Sequence, residues 1–173
     1  MHRQLMAGIY EAFDGVVLGA GISLHETVVL DQFGQNQHYM PLREQARSLD
    51  ELNDWTKLVG KKILRRIAPF ALTGLDGPGL RYYTPPCLVT ILKQELPSDS
   101  RIFVPMISNA TRITAASNWY LFSTAQLHII RDCLLHFAQH TDAIWMQYLE
   151  SAIESASLGI EWKTDGPTVN RRH

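Results

Sequence analysis

Four side chains that could bind a metal recur at four-residue steps: His128, Asp132, His136 and His140. Two histidines one helical turn apart are a common way to hold a metal ion. The same helix carries an apolar stripe, however, and a helical projection places the four polar side chains beside or opposite it, on the solvated face. No His-Glu-x-x-His motif is formed. We expect no bound metal or cofactor, and a metal-dependent enzyme using this row is the alternative.

Arg81 and Tyr83 form a second group with chemical potential. We expect the segment 79–84 to be extended and a helix to begin around Thr84 and Pro85, since threonine caps helices and proline opens them. An arginine and a tyrosine hydroxyl facing a groove could recognise a carboxylate. Packing of the aromatic rings is the favoured interpretation. The alternative function as an enzyme therefore has a second form, in which the Arg81/Tyr83 region binds a small ligand.

A cluster of cations lies in a helix that we predict from Trp55 to Ile67. Such a helix could meet an acidic protein or a phosphate backbone, although acidic residues just upstream could balance its charge. No aromatic side chains alternate with the cations, so stacking on single-stranded nucleic acid is not supported. The cations are Lys57, Lys61, Lys62, Arg65 and Arg66.

The composition is that of a folded protein without a strong net charge. The chain has 173 residues, of which 46% are hydrophobic and 19% are charged. This length suits one domain with a sizeable core. Because 16 Lys and Arg face 17 Asp and Glu, no overall field attracts the protein to nucleic acid or to an anionic membrane. We therefore expect neither of these partners.

The cysteines and the first residues point to a cytoplasmic location. Cys87 and Cys133 lie far apart and form no Cys-x-x-Cys motif, which favours inert buried thiols in a reducing compartment. The start of the chain lacks the apolar core of a signal peptide, and no apolar run approaches membrane-spanning length. No Gly-x-Ser-x-Gly motif and no convincing Ser/His/Asp order is found, so no catalytic residue is assigned.

Helix signals recur along the chain. Capping boxes, in which a serine and an acid or amide three residues later bond each other's backbone, occur at Ser23, Ser48 and Ser123. Strand-like residues between 101 and 122 leave room for a small β-hairpin. The helices that we predict cover residues 1–13, 24–33, 41–47, 55–67, 85–95, 127–138 and 141–158, the last of them ended by Gly159.

These signals predict a mainly α fold, a compact multi-helix single domain with a small β-hairpin as an option. We expect the domain to span residues 1–162 and a flexible C-terminal tail to follow over residues 163–173. The two long helices near the C-terminus are separated by almost no loop, so they should form a hairpin or one bent helix.

Short blocks in a fixed order carry a family resemblance. They are Ala12-Phe13-Asp14-Gly15-Val16 through Gly19-Ala20-Gly21-Ile22-Ser23-Leu24-His25-Glu26, then Asp54-Trp55, then Leu75-Asp76 through Leu80-Arg81-Tyr82-Tyr83-Thr84-Pro85, and finally Leu121-Phe122-Ser123 with Gln126. In this order the chain resembles an uncharacterised family of small bacterial proteins, a domain of unknown function. The resemblance implies a single-domain helical protein of bacterial type and assigns no catalytic residue.

We predict a non-catalytic protein that binds another protein, such as an immunity-type partner of a toxin or a regulatory partner. The partner would present an acidic surface, because such a surface is complementary to the cations of the predicted basic helix. A nucleic-acid accessory that uses the basic helix is a third hypothesis. The residues that we expect to contact the partner are Lys61, Lys62, Arg65, Arg66, Arg81 and Tyr83.

Overall fold

The computed structural model describes residues 1–66, 72–93 and 103–165, and it confirms a mainly α, compact multi-helix fold. These residues contain eight α-helices, four short 3-10 helices and no strand. The α-helices are α1 (His2–Ala12), α2 (Leu24–Phe33), α3 (Met40–Arg47), α4 (Lys62–Arg66), α5 (Gly77–Leu92), α6 (Phe103–Ile113), α7 (Thr124–Ala138) and α8 (Ala143–Asp165). The 3-10 helices are Gln37–Tyr39, Trp55–Leu58, Leu72–Gly74 and Ala116–Leu121.

Local signals explain the ends of α1, α2 and α7. The Ser23 amide donates to Glu26 Oε2 over 2.9 Å at the start of α2. In α7 the Ser123 and Gln126 amides and side chains bond reciprocally, as the predicted capping box requires. Gly15 after α1 and Gly34 after α2 have φ of 67° and 66°, a region that favours glycine. The predicted helices at 1–13 and 24–33 are confirmed.

The capping box predicted at Ser48 is wrong, because Ser48 ends α3 and no helix begins there. The Glu51 carboxylate accepts hydrogen bonds from the amides of Asn53 and Asp54 in a turn. A short polar motif of this kind suits either a turn or a helix start.

The helix α5 begins eight residues earlier than the sequence indicated. Asp76 caps it by accepting the Gly79 amide over 2.9 Å. The helix then continues through Pro85 and Pro86, so the expected extended segment at 79–84 is wrong. Every residue from Tyr82 to Leu92 is buried. Because this helix is enclosed on all sides, its sequence lacks the amphipathic period that would mark it as one helix.

The predicted helix from Trp55 to Ile67 is also wrong, since it is two separate elements. Asp54 caps a 3-10 helix, and Gly60 then turns the chain with φ of 72° before α4 begins at Lys62. The cations of this stretch therefore do not share one helical face. Ile67 lies outside the described residues.

The C-terminal half of the chain is a helical hairpin with a third helix against it. α7 packs on α8 and α1, and α8 also packs on α6. The buried residues of α7 include Leu127, Ile130, Leu134 and Phe137, as the apolar period predicts. The segment for which a β-hairpin was an option holds α6 and the 3-10 helix Ala116–Leu121, and residues 101–102 lie outside the description.

The last helix, α8, does not end at Gly159 as predicted, and it extends to Asp165. The predicted tail from residue 163 therefore starts inside this helix, and residues 166–173 lie outside the described part. Leu149, Ala152 and Ala156 face the core as expected, but Ile144 is 73% exposed. Across the three described ranges, no helix is long and apolar enough to cross a membrane.

Candidate functional site

The most distinctive surface of the protein is an arm formed by residues 24–47, which comprise α2, the 3-10 helix Gln37–Tyr39 and α3. α2 and α3 pack against each other, and every residue from 31 to 38 is exposed. At the end of the arm the rings of Phe33 and Tyr39 stack with centroids 4.4 Å apart. We call Phe33, Tyr39, Met40 and Leu42 the tip patch; Phe33, Met40 and Leu42 are each 40 to 44% exposed.

An ion-pair cluster fixes the base of this arm. Arg47 of α3 donates from Nη1 to Glu26 Oε2 of α2 over 2.7 Å, and Arg43 lies 3.4 Å from the other carboxylate oxygen. The Glu26 side chain is only 7% exposed, so its charge needs these partners. Arg47 also donates to the backbone carbonyls of Gly19 and Gly21. One side chain thus joins both helices of the arm to the turn that precedes them.

The turn at 19–22 rests on the start of α5. Asp76 Oδ1 accepts the Ile22 amide over 2.9 Å, in addition to its capping bond. A β-carbon at Gly21 would lie 2.8 Å from the Gly79 nitrogen, and one at Gly79 would lie 2.7 Å from the Ile22 oxygen. Glycine at both positions therefore allows two backbone segments to touch. This close approach accounts for Gly21 and Gly79, whereas Gly19 has a φ of 58°, a region that favours glycine.

A histidine and a buried carboxylate complete the base of the arm. Asp50, whose side chain is 1% exposed, accepts the His25 amide over 2.9 Å and lies 2.8 Å from His25 Nδ1. A carboxylate on one ring nitrogen holds an imidazole in one orientation. The other nitrogen, Nε2, has no hydrogen-bond partner within the described ranges, and it could exchange a proton with a bound molecule.

Asp50, Arg43 and Arg47 were not predicted from the sequence as members of this cluster. Asp50 lies 25 residues from His25 in the chain, and its position was assigned to a capping box that does not form. The four-residue spacing of Arg43 and Arg47 places both on one side of α3, which was the available signal.

Arg81 and Tyr83 do not form one surface. Tyr83 is fully buried, and its hydroxyl oxygen lies 3.4 Å from the Leu24 amide nitrogen. Burial raises the pKa of the Tyr83 hydroxyl well above its ordinary value, so this group stays neutral. Arg81 is half-buried and donates from Nε to Gln126 Oε1 over 3.3 Å. Tyr83 is thus removed from the predicted contact residues, because a partner cannot reach it in this fold.

The residues from Lys57 to Arg66, which we call the basic segment, are only partly available to a partner. Lys57 is 3.3 Å from Glu51 and 3.7 Å from Asp54, and its hydrogen bond to Glu51 raises its pKa. Lys61 and Lys62 are exposed and make no ion pair with any residue that the structure describes. Arg65 and Arg66 complete α4, and their side chains lie outside the description.

The histidine row is not a uniformly solvated face. His136 is buried, whereas His140 is exposed and His128 and Asp132 are half-buried. The expectation that all four are solvated is therefore wrong for His136, which lies against the first turn of α1. Within the part of the chain covered by the structure, no group of three or more His, Cys, Asp or Glu side chains could hold a metal ion.

A shallow groove separates α1 from α7. Its volume is about 490 Å³, and Glu11, His128 and Asp132 bring ionisable groups to its walls. Asp132 is already 3.1 Å from Arg131 Nη2. The groove floor is made of small or apolar side chains, which are Gly8, Ala12, Ala125 and Ile129.

The comparisons with known proteins bear on the fold as a whole and not on one site. A model of a family of unknown function, DUF6714, matches residues 1–155. The chain belongs to this family. The matched region contains α1 to α7, the arm and most of α8. No curated protein and no solved structure matches the chain. The DUF6714 match confirms the resemblance to an uncharacterised family, and it assigns no activity.

Proposed function

We propose that this DUF6714 protein is a non-catalytic protein that binds another protein through the tip patch of its arm. The observation that carries the proposal is the exposed stack of Phe33 on Tyr39, at the end of a segment in which residues 31–38 are all exposed. Exposed apolar clusters on folded proteins commonly mark interaction sites, and aromatic side chains contribute strongly to binding energy there.

The base of the arm supports this proposal because it keeps the tip in a defined position. Glu26, Arg47 and the turn carbonyls join α2 to α3, and His25 ties α2 to Asp50. A surface that is ordered before binding loses less conformational entropy on association. The ionic groups of the base thus have a mechanical role in recognition, and they do not themselves touch the partner.

The partner class follows from the chemistry of the tip. Gln35, Asn36 and Gln37 carry side-chain amides, and they lie in the segment 34–38 that separates Phe33 from Tyr39. An apolar depression with polar groups at its rim would accept the stacked rings and bond these amides. For this protein itself, the concrete role that we propose is the one predicted from the sequence, an immunity-type or regulatory partner of another bacterial protein.

Site-specific crosslinking in the source organism tests this proposal. A photoreactive amino acid replaces Gln35 at the tip, and Glu154, which is exposed on α8, is the matched control position. We expect a discrete protein adduct at position 35 that is absent at position 154 and is lost in the Phe33→Ser/Leu42→Ser variant. An identical adduct pattern at both positions, or an adduct that persists in the double variant, would overturn the proposal.

A second binding surface is supported by the exposed Lys61 and Lys62, which follow the Gly60 turn. Unpaired lysines on a turn attract an acidic protein surface and accelerate its association. We propose that Lys61, Lys62, Arg65 and Arg66 contact the acidic part of the same partner. This surface and the tip patch can be tested separately, because the variants do not share residues.

A further inference from the structure

The first turn of α1 and the last turns of α7 meet through a histidine pair. His2 Nε2 lies 2.7 Å from His136 Nε2, and the rings are nearly perpendicular with centroids 4.6 Å apart. A hydrogen bond between two ring nitrogens needs a hydrogen on one and a lone pair on the other. At least one of the two imidazoles is therefore neutral, and protonation of both would set two N–H groups against each other.

The surroundings of His136 oppose its protonation. Only 4% of the residue is exposed, and its Nδ1 has no hydrogen-bond partner in the described ranges. When Nε2 carries the proton and donates to His2, Nδ1 is a bare lone pair. A protonated ring would add a buried charge and a buried N–H without an acceptor, which is costly.

The groups that act on His136 come from both helices, and they are all cationic when protonated. They are His2 and the Met1 amino group at the start of α1, and His140, which follows the end of α7 and whose ring centroid is 4.8 Å away. Burial, followed by His2 and His140, lowers the pKa of His136 below its ordinary value of 6.5. The nearby C-terminus of α7 favours a cation, but this contribution is outweighed.

We propose that His2, His136 and His140 form a pH-dependent latch, which fixes the first turn of α1 to α7 at neutral pH and releases it on acidification. Only the first turn is released, because Leu5, Ile9 and Phe13 anchor the rest of α1 in the core. The far end of α1 is also held by the Trp55 indole, which donates to the Phe13 carbonyl over 2.9 Å.

The sign of the effect follows from the lowered pKa. When a histidine has a lower pKa in the folded state than in the unfolded state, the folded protein loses stability as the pH falls below the unfolded-state pKa. The latch is therefore complete above about pH 6.5 and weakens progressively below it, until His136 is protonated in the folded state as well.

Amide hydrogen exchange of the full chain in the presence of EDTA tests the latch. The reporters are the amides of Leu5 and Met6, followed at pH 7.5 and 5.5 and corrected for the intrinsic effect of pH on exchange. We expect protection of these amides to fall about tenfold at pH 5.5 in the unmodified protein, because this pH lies one unit below the ordinary histidine pKa of 6.5. The His2→Leu variant, whose side chain can neither donate nor accept a hydrogen bond, should exchange rapidly at both pH values, and His128→Leu, on α7, should match the unmodified protein.

Three results would overturn the latch. The first is equal corrected protection of Leu5 and Met6 at both pH values, and the second is the full pH effect in His2→Leu. The third is protection at pH 7.5 that is present in a parallel sample without EDTA and absent with it, which would assign the contact to a bridging metal. A variant that merely weakened packing would lower protection equally at both pH values and leave the pH effect in place.

Discussion

Gly159 lies against the indole of Trp119 so closely that a β-carbon there would sit 2.7 Å from Trp119 Nε1. The ring is held in this position, because the same Nε1 donates to the Thr114 carbonyl over 2.6 Å. Trp119 also contacts Trp162, with ring centroids 6.1 Å apart. The glycine thus allows α8 to approach the 3-10 helix Ala116–Leu121, and it does not end α8.

The variant Gly159→Ala should therefore lose stability although alanine favours a helix. We expect a loss of about 1 to 3 kcal/mol in the free energy of unfolding, measured in urea, because the indole must leave its hydrogen bond. Gly8→Ala in α1 is the matched control. Its β-carbon would meet only the flexible end of Ile129, at 2.7 Å, so this variant should be neutral or slightly more stable. Equal losses in both variants would contradict the prediction.

Replacing Arg47 with methionine should destabilise the base of the arm. The change leaves Glu26 with the Ser23 amide and the longer contact to Arg43, and it frees the carbonyls of Gly19 and Gly21. We expect a loss of about 3 kcal/mol in the free energy of unfolding, since a mostly buried carboxylate loses its best partner. The control is Lys57→Met, which removes an exposed ion pair and should leave the urea midpoint unchanged. Similar midpoints for the two variants would exclude the structural role of Arg47.

The two thiols should be unreactive in the folded protein. Cys87 and Cys133 are both fully buried, and burial raises the pKa of each thiol to about 12. At pH 8 almost no thiolate is present, and a reagent cannot reach the sulfur. We expect no rapid reaction with a disulfide reagent in buffer and two equivalents in denaturant. A fast equivalent in buffer would show that a thiol is accessible.

Charge reversal in the basic segment should slow the association with an acidic partner. In Lys61→Glu/Lys62→Glu the association rate constant should fall about tenfold at low salt, and its dependence on salt should weaken. The melting temperature should not change, because solvated charges contribute little to folding. Binding kinetics and melting are compared in the same variant once a partner has been captured. An unchanged association rate would exclude this segment as a contact surface.

Purified protein without a histidine tag should contain no stoichiometric zinc, iron or nickel. His136 is buried against His2, and the described residues offer no set of three ligands. Elemental analysis measures the metal content directly. About one ion per chain, lost in His136→Ala/His140→Ala, would reverse this prediction.

Much of the fold could be predicted from the sequence because many helix ends depend on neighbours within four residues. These local signals are the capping interactions of Ser23 with Glu26 and of Ser123 with Gln126, together with the glycines at 15 and 34 that follow helices. The apolar period of α7 likewise predicted which of its side chains are buried. Such signals are local, so they operate in almost any tertiary setting.

The tertiary structure decided the rest, including most of the candidate site. Thr84-Pro85-Pro86 is compatible with a helix start and with a helix interior, and enclosure of α5 by the core selected the interior. Three outcomes also depend on contacts outside any local window: whether a capping box forms at Ser48, whether Asp50 meets His25, and whether Phe33 reaches Tyr39 across a loop. The physical reason is that each short motif allows several conformations of similar energy. The choice among them is made by the apolar area that is buried and by the pairing of buried charges in the complete fold.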